Sequence, residues 1–149
     1  MPIHSPEFES AARSLAPLLV GLPPRVVAID GRDGEGKTSL GRFLAWHFNV
    51  TLVETDLYLV GDNSLNRRIE EIRRVVETRL ERKRPVIVEG VGVLQILEDI
   101  GLKADFHIYL RNRRTHWVGG PVAAMLASYE EKFEPCKRAD LLLEVEHDG

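Results

Sequence analysis

The chain is poor in cysteine, lacks long apolar runs and carries no excess of basic charge, and each shortage excludes something. A single cysteine, Cys136, rules out an internal disulfide, so a reducing compartment, the cytoplasm, is expected. No apolar stretch approaches the ~20 residues needed to cross a bilayer as a helix. The segment Met1 to Glu9 lacks the basic start and apolar centre of a secretory leader. Five histidines in no zinc-like spacing, with one cysteine, leave no structural zinc site to expect. A net charge of −3 and a pI near 6.0 argue against a nucleic-acid-binding face. No internal repeat or low-complexity tract is visible. What is there is ordinary for a globular protein: 149 residues, 44% hydrophobic and 29% charged, enough for one domain with a real core.

Against this background one segment stands out. Gly31-Arg32-Asp33-Gly34-Glu35-Gly36-Lys37-Thr38 spells G-x-x-x-x-G-K-[ST]. In a chain of this composition a chance match is expected roughly two times in a thousand. The context also fits. Arg25 to Asp30 reads as a buried strand and Lys37 to Phe48 as a helix, so the motif lies where a strand hands over to a helix N-terminus. Glycines there admit positive φ and let phosphate oxygens approach without meeting a Cβ. Loop N–H groups and the positive end of the helix face the anion. The expected contacts run from Gly31 through Asp33, Gly34, Glu35, Gly36, Lys37 and Thr38 to Ser39. Lys37 is expected on the β- and γ-phosphates and the Thr38 hydroxyl on Mg²⁺. Arg32 is expected to point outward.

Elsewhere strands and helices alternate. Pro6 to Leu19 reads as an N-terminal helix, with Pro17 weakening its last turn. In the helix after the loop, Leu40, Phe43, Leu44 and His47 share one face. Thr51 to Thr55 is a short β-branched strand. Asp62-Asn63-Ser64 supplies caps for a long helix through about Lys83, with Leu65, Ile69, Ile72, Val75, Val76 and Leu80 on one side and a solvated Arg/Glu face on the other. Pro85 to Glu89 is an unbroken apolar strand ending in an acid, as parallel strands covered on both faces are. A short helix over 94–100, a strand over 105–110, a helix over 122–133 and a last strand over 141–145 follow. This order predicts a five-stranded parallel α/β sheet with helices on both faces, and ligands of such sheets bind beyond the strands' carboxyl ends.

Gly31, Asp56, Glu89 and Arg111 all fall at that edge. Phosphoryl transfer needs a metal to neutralise phosphate oxygens and a group to orient or deprotonate the acceptor. Glu89, ending the third strand, is the candidate metal-side acid beside Thr38; Asp56, after the second strand, is the candidate acid facing an acceptor. The bland alternative for each is a helix cap or a solvated acid. Asp30, at the mouth of the loop, is expected to tie the loop's backbone. Arg113 and Arg114, with Arg111, are candidates to clamp transferring phosphate, since guanidinium grips phosphate with a fork; the alternative is a basic surface loop. Tyr58, His116 and Trp117 are candidate pocket aromatics, and Cys136 reads as an inert buried thiol.

These residues resemble a family. Val26 to Gly31 with the loop is similar to the P-loop small-molecule and nucleoside/nucleotide kinases. Thr55-Asp56-Leu57-Tyr58 is similar to the D-x-F-Y motif of the uridine kinase and phosphoribulokinase-like branch, with Leu57 for its phenylalanine. Val86 to Val91 resembles that branch's V-I-V-E-G strand, and Phe133 to Asp140 its E-P-[ST]-K-x-x-A-D segment, with Cys136 for the hydroxyl residue. The likeness covers about residues 25–145 in motif order. It implies a P-loop NTPase fold, ATP with Mg²⁺, Asp56 as catalytic base toward an acceptor hydroxyl, a lid over about 111–121 carrying Arg113 and Arg114, and a segment 135–138 near the adenine. The branch's insertion after the Asp motif is missing, because 60–83 leaves room for one helix, and the lid is short.

Three functions compete. The first is a kinase that takes ATP and a small-molecule hydroxyl acceptor, a nucleoside or similar metabolite, with no nucleic-acid or membrane partner and no oligomeric state implied. The second is a catalytically degenerate nucleotide-binding regulator. The third is a GTPase switch, which lacks its [NT]-K-x-D guanine reader here.

Overall fold

The structure, a computed structural model, describes residues 6–32, 34–61, 66–113 and 123–146. Five strands form one wholly parallel sheet in the order β2-β3-β1-β4-β5: β1 (Val26–Asp30), β2 (Thr51–Glu54), β3 (Val86–Glu89), β4 (Phe106–Asn112) and β5 (Leu141–Val145). Right-handed crossovers then decide where each helix goes. The step from β1 to β2 runs one way across the sheet, so α2 (Lys37–Phe48) covers one face. The steps to β3, β4 and β5 run the other way, so α3 (Ile69–Glu81), α4 (Val93–Asp99) and α5 (Ala123–Phe133) cover the opposite face. The N-terminal helix α1 (Pro6–Leu19) fills the first face beside α2, against β5.

Side-chain alternation serves both layers. Val27, Ile29, Ile87, Ile108 and Leu110 pack under α1 and α2 with Phe8, Leu15, Leu40 and Leu44. Val26, Ala28, Val86 and Val88 pack under α3 and α4 with Ile72, Val76, Ile96 and Leu97. Each such buried valine, leucine, isoleucine or phenylalanine contributes about 1.5–3 kcal/mol. The apolar runs of β1 and β3 are buried at every position, as strands covered on both faces must be. α1 runs through the exposed Pro17 to Leu19: burial of Leu15 and Leu19 outweighs the one helix hydrogen bond that proline cannot make.

Two expectations are corrected. His47 is exposed at the rim, tilted against the Phe43 ring and edge-on to Phe48, while Leu40, Phe43 and Leu44 are buried. The third helix begins at Ile69. The expected caps Asp62, Asn63 and Ser64, with Leu65, lie outside the described residues. Asn66 to Arg68 instead run antiparallel to a single 3-10 turn's exit: Leu59 bridges Arg67, Val60 N–H donates to Asn66 O at 2.8 Å, and Arg68 N–H donates to Tyr58 O at 2.7 Å. Backbone pairing to residues 58–60 thus claims the donors and acceptors that a longer helix would have used. Glu70 and Glu71 then suit the helix's positive end.

Candidate active site

At the sheet's centre β1 lies between β3 and β4, and successive connections leave it in opposite directions, so a crevice opens above its carboxyl end. The loop from β1 to α2 occupies that crevice. Gly31 has φ 153°, and a Cβ there would lie 2.5 Å from the Leu110 carbonyl oxygen, so only glycine lets the loop leave the strand beside β4. Gly36, with φ 102°, turns directly into α2. That helix has no side-chain cap and no acid in its first turn. Its leading N–H groups are therefore left for an anion, which fits a polyphosphate.

Lys37 opens the helix almost fully buried, and its Nζ donates to Arg32 O within the same loop at 2.7 Å. Gly34 and Glu35 lie in the described loop and Ser39 in the helix's first turn; Asp33 lies outside the described residues. The Glu35 side chain turns away from the crevice. It is buried and accepts a short hydrogen bond from Asn112 N–H, which pins the loop to the end of β4. Asp30, 1% exposed, ties the loop as expected: one carboxylate oxygen accepts from Gly31 N–H at 2.8 Å. The other accepts from the Tyr129 hydroxyl of α5 at 2.5 Å and faces His107 Nε2 at 3.7 Å. Burial and the Asp30 charge hold the Tyr129 phenol well above its ordinary range, so it stays a donor. Arg32 points outward onto Glu130 of α5, 3.0 Å away.

Register brings the acids together. Glu89 pairs with Ile29 of β1 on one side and Glu54 of β2 on the other, and Asp56 follows two residues beyond Glu54. The Thr38 hydroxyl donates to Glu89 Oε1 at 3.3 Å. Burial raises the Glu89 carboxyl above the usual carboxylate range; the Lys37 ammonium opposes this and the Asp56 charge adds to it. A hydroxyl and a carboxylate are the hard oxygen donors that Mg²⁺ takes. Among the described residues no group of three or more His, Cys, Asp and Glu side chains forms a metal cage.

Asp56, half-exposed, is paired with Arg67, whose Nη2 lies 3.3 Å from Oδ1 and whose Nε lies 3.3 Å from Thr55 O. The Arg67 side chain is only 3% exposed, and burial lowers its guanidinium from the ordinary value against the pull of Asp56. Beside it opens a cavity of about 650 Å³, walled by Arg67, Val91, Gly92, Ile96, Met125 and Tyr129. That is the size of a small-metabolite pocket. The arginines after β4 lie elsewhere. Arg111 and Arg113 both pair with Glu144 of β5, and Arg113 also with Glu146, so neither is brought to Lys37. Arg114, the remainder of the expected lid, His116 and Trp117 lie outside the described residues. Tyr58 packs against the core under α3, and Cys136 is half-buried beside Arg111 rather than fully enclosed.

Arg67 and Tyr129 were not legible as site residues. Arg67 falls in a charged run read as a solvated helix face, and nothing local marks Tyr129.

No protein-family model matches the chain, and no curated protein matches it in sequence. Solved structures do match. A possible uridine kinase from Bacillus stearothermophilus aligns over 92% of this chain and 99% of its own, at 17% identity and a TM-score of 0.59. A sugar kinase from Janibacter sp. HTCC2649 aligns over 83% of this chain and 86% of its own, at 14% identity and a TM-score of 0.54. At such identities the likeness is one of fold: the chain has the P-loop kinase fold.

Proposed function

We propose that the chain is an ATP-dependent phosphotransferase of the uridine kinase-like kind, acting on a hydroxyl of a nucleoside or similar small metabolite. The observation that carries this reading is the convergence of Lys37, the Thr38–Glu89 pair and Asp56 at the ends of β1, β3 and β2, beside a cavity of about 650 Å³. In this reading the amides of the 31–36 loop and the first turn of α2 hold the β- and γ-phosphates, and Lys37 exchanges the Arg32 carbonyl for phosphate oxygen. Mg²⁺, held through Thr38 and Glu89, supplies neutralising charge to the phosphates when bound. Asp56 accepts the proton of the acceptor hydroxyl as that oxygen bonds to the γ-phosphorus and the bond to the bridging oxygen of ADP breaks. Arg113 and Arg114 would stabilise the transferring group; for Arg113 this requires release from Glu144 and Glu146. Residues 1–149 would act as one domain, with 111–121 as lid, in the cytoplasm. Among the described residues no helix is long and apolar enough to cross a membrane.

The same Arg113 pairing favours a second reading, a nucleotide-binding regulator without turnover. ADP release measured with magnesium, ATP and a panel of nucleosides, sugars and vitamins separates the two. The kinase reading expects one acceptor to be turned over. It expects Asp56→Asn to lose about 10²–10⁴-fold in kcat while still binding ATP, and Lys37→Ala to lose ATP binding itself. Tight ATP binding with no turnover of any hydroxyl compound overturns it in favour of the regulator.

A further inference from the structure

The end of the sheet opposite the phosphate loop carries a concentration of positive charge that the proposed reaction does not use. Strand register aligns Arg25 before β1, Thr51 at the start of β2 and Arg84 before Pro85 and β3. The C-terminus of α3 adds Arg79, Arg82 and Lys83. Among the described residues no ion pair forms at any of these five cations, in a chain whose net charge is −3. A cavity of about 350 Å³ opens here, lined by Asn49, Thr51, Arg79 and Arg84, with Leu22 and Pro85 as its apolar floor. The Arg79 Nε is buried and has no hydrogen-bond partner.

Such a donor wants an acceptor, because nearly all buried polar atoms in folded proteins have one. Part of the positive charge answers the ends of the helices. α1, α2 and α3 all finish at this edge, and each C-terminus is worth about half a negative charge. Even with Glu81, and Asp105 that accepts from Val26 N–H at 2.7 Å beside Arg25, counted against the five cations, a local surplus of about 1.5 positive charges is left. We infer that this cavity is a second anion site, which takes a phosphate-type oxyanion, free or as a small phosphomonoester, between the Arg79 and Arg84 guanidinium groups. Two guanidinium forks supply paired donors to tetrahedral oxygens, and Asn49 and Thr51 add neutral donors at the rim. The cavity exceeds the volume of a lone oxyanion, which leaves room for the alcohol portion of an ester.

The test is amide-resolved NMR on the full chain titrated with inorganic phosphate, with glycerol 3-phosphate, and with sodium chloride at matched ionic strength. The expected result is a saturable shift at Asn49, Val50 and Thr51 with either phosphate compound and not with chloride. Arg79→Gln and Arg84→Gln should each weaken it about tenfold. Arg84 is exposed, so its variant keeps the fold even where Arg79→Gln does not. Tighter binding of glycerol 3-phosphate assigns the site to esters; equal or weaker binding assigns it to the free oxyanion. Lys37→Ala should abolish shifts at Gly34 to Thr38 and leave those at 49–51 intact, so this site stands or falls separately from the nucleotide loop. Shifts at 49–51 that follow ionic strength alone, or that persist at full affinity in both arginine variants, would show that the arginines serve only the helix ends, and would overturn the inference.

Discussion

Tyr129→Phe removes one oxygen atom and should cost the protein a large part of its stability. The phenol donates to the buried Asp30 carboxylate at 2.5 Å and accepts from Leu94 N–H, at the start of α4, at 3.2 Å. The ring itself stacks on Phe133 at 5.0 Å, a contact phenylalanine keeps, so the substitution isolates the hydroxyl. A hydrogen bond to a charged group contributes about 1.5–3 kcal/mol, and an ordinary one about 1 kcal/mol. The summed loss is therefore about 2.5–4 kcal/mol, which for a chain of this length corresponds to a fall in Tm of about 5–15 °C. Urea unfolding of the wild type, Tyr129→Phe, Asp30→Asn and the double variant gives the coupling directly. A coupling of about 1.5–3 kcal/mol is expected from the charged bond. The same oxygen joins α5 to the strand that feeds the glycine loop, so on the proposed function nucleotide affinity should fall with stability. A loss under about 0.5 kcal/mol, or additive single effects, would refute the claim that this bond latches α5 to the loop.

Further outcomes follow from the same geometry. Because burial raises the folded-state value of Glu89, its favourable contribution is complete below the unfolded carboxylate range and is lost as pH rises through the raised value. In magnesium-free buffer Glu89→Gln should therefore be more stable than wild type at about pH 7–8 and converge with it toward about pH 4. Urea midpoints that differ equally at every pH would contradict this. A Cβ at Gly90 would lie 1.8 Å from the fully buried Thr55 Oγ1, so Gly90→Ala should cost about 1–3 kcal/mol or more. Adding Thr55→Ala, which removes that oxygen but leaves its Cβ at 3.1 Å, should recover part of the loss, as calorimetric melting would show.

Local features were legible where the signal is local. α1 and β5 have the residue limits their apolar spacing dictates, and the loop between β1 and α2 needs its glycines where backbone and β4 crowd it. The pairing of Thr38 with Glu89 follows from topology, since the strand beside β1 must deliver its last residue to the helix start. The start of α3 is not visible in the helical pattern because its competitor lies outside it: residues 66–68 pair with 58–60 across a turn. Arg113 reads like a phosphate clamp in the sequence, yet β5 lies beside it with Glu144 and Glu146 in reach.

By itself the sequence determined the order of strands and helices and the place of the glycine loop between β1 and α2. Both are set by spacing within a dozen residues and by what glycine, proline and branched side chains permit. Only the tertiary structure decided which charges go inside. Arg67, Glu35, Asp30 and Glu89 are buried because packing brings each a partner: Asp56 across the 58–68 turn for Arg67, and Asn112, Tyr129 and Thr38, from distant parts of the chain, for the other three. A charge leaves water only where such a partner waits, and the partner's position depends on the whole sheet rather than on neighbouring residues.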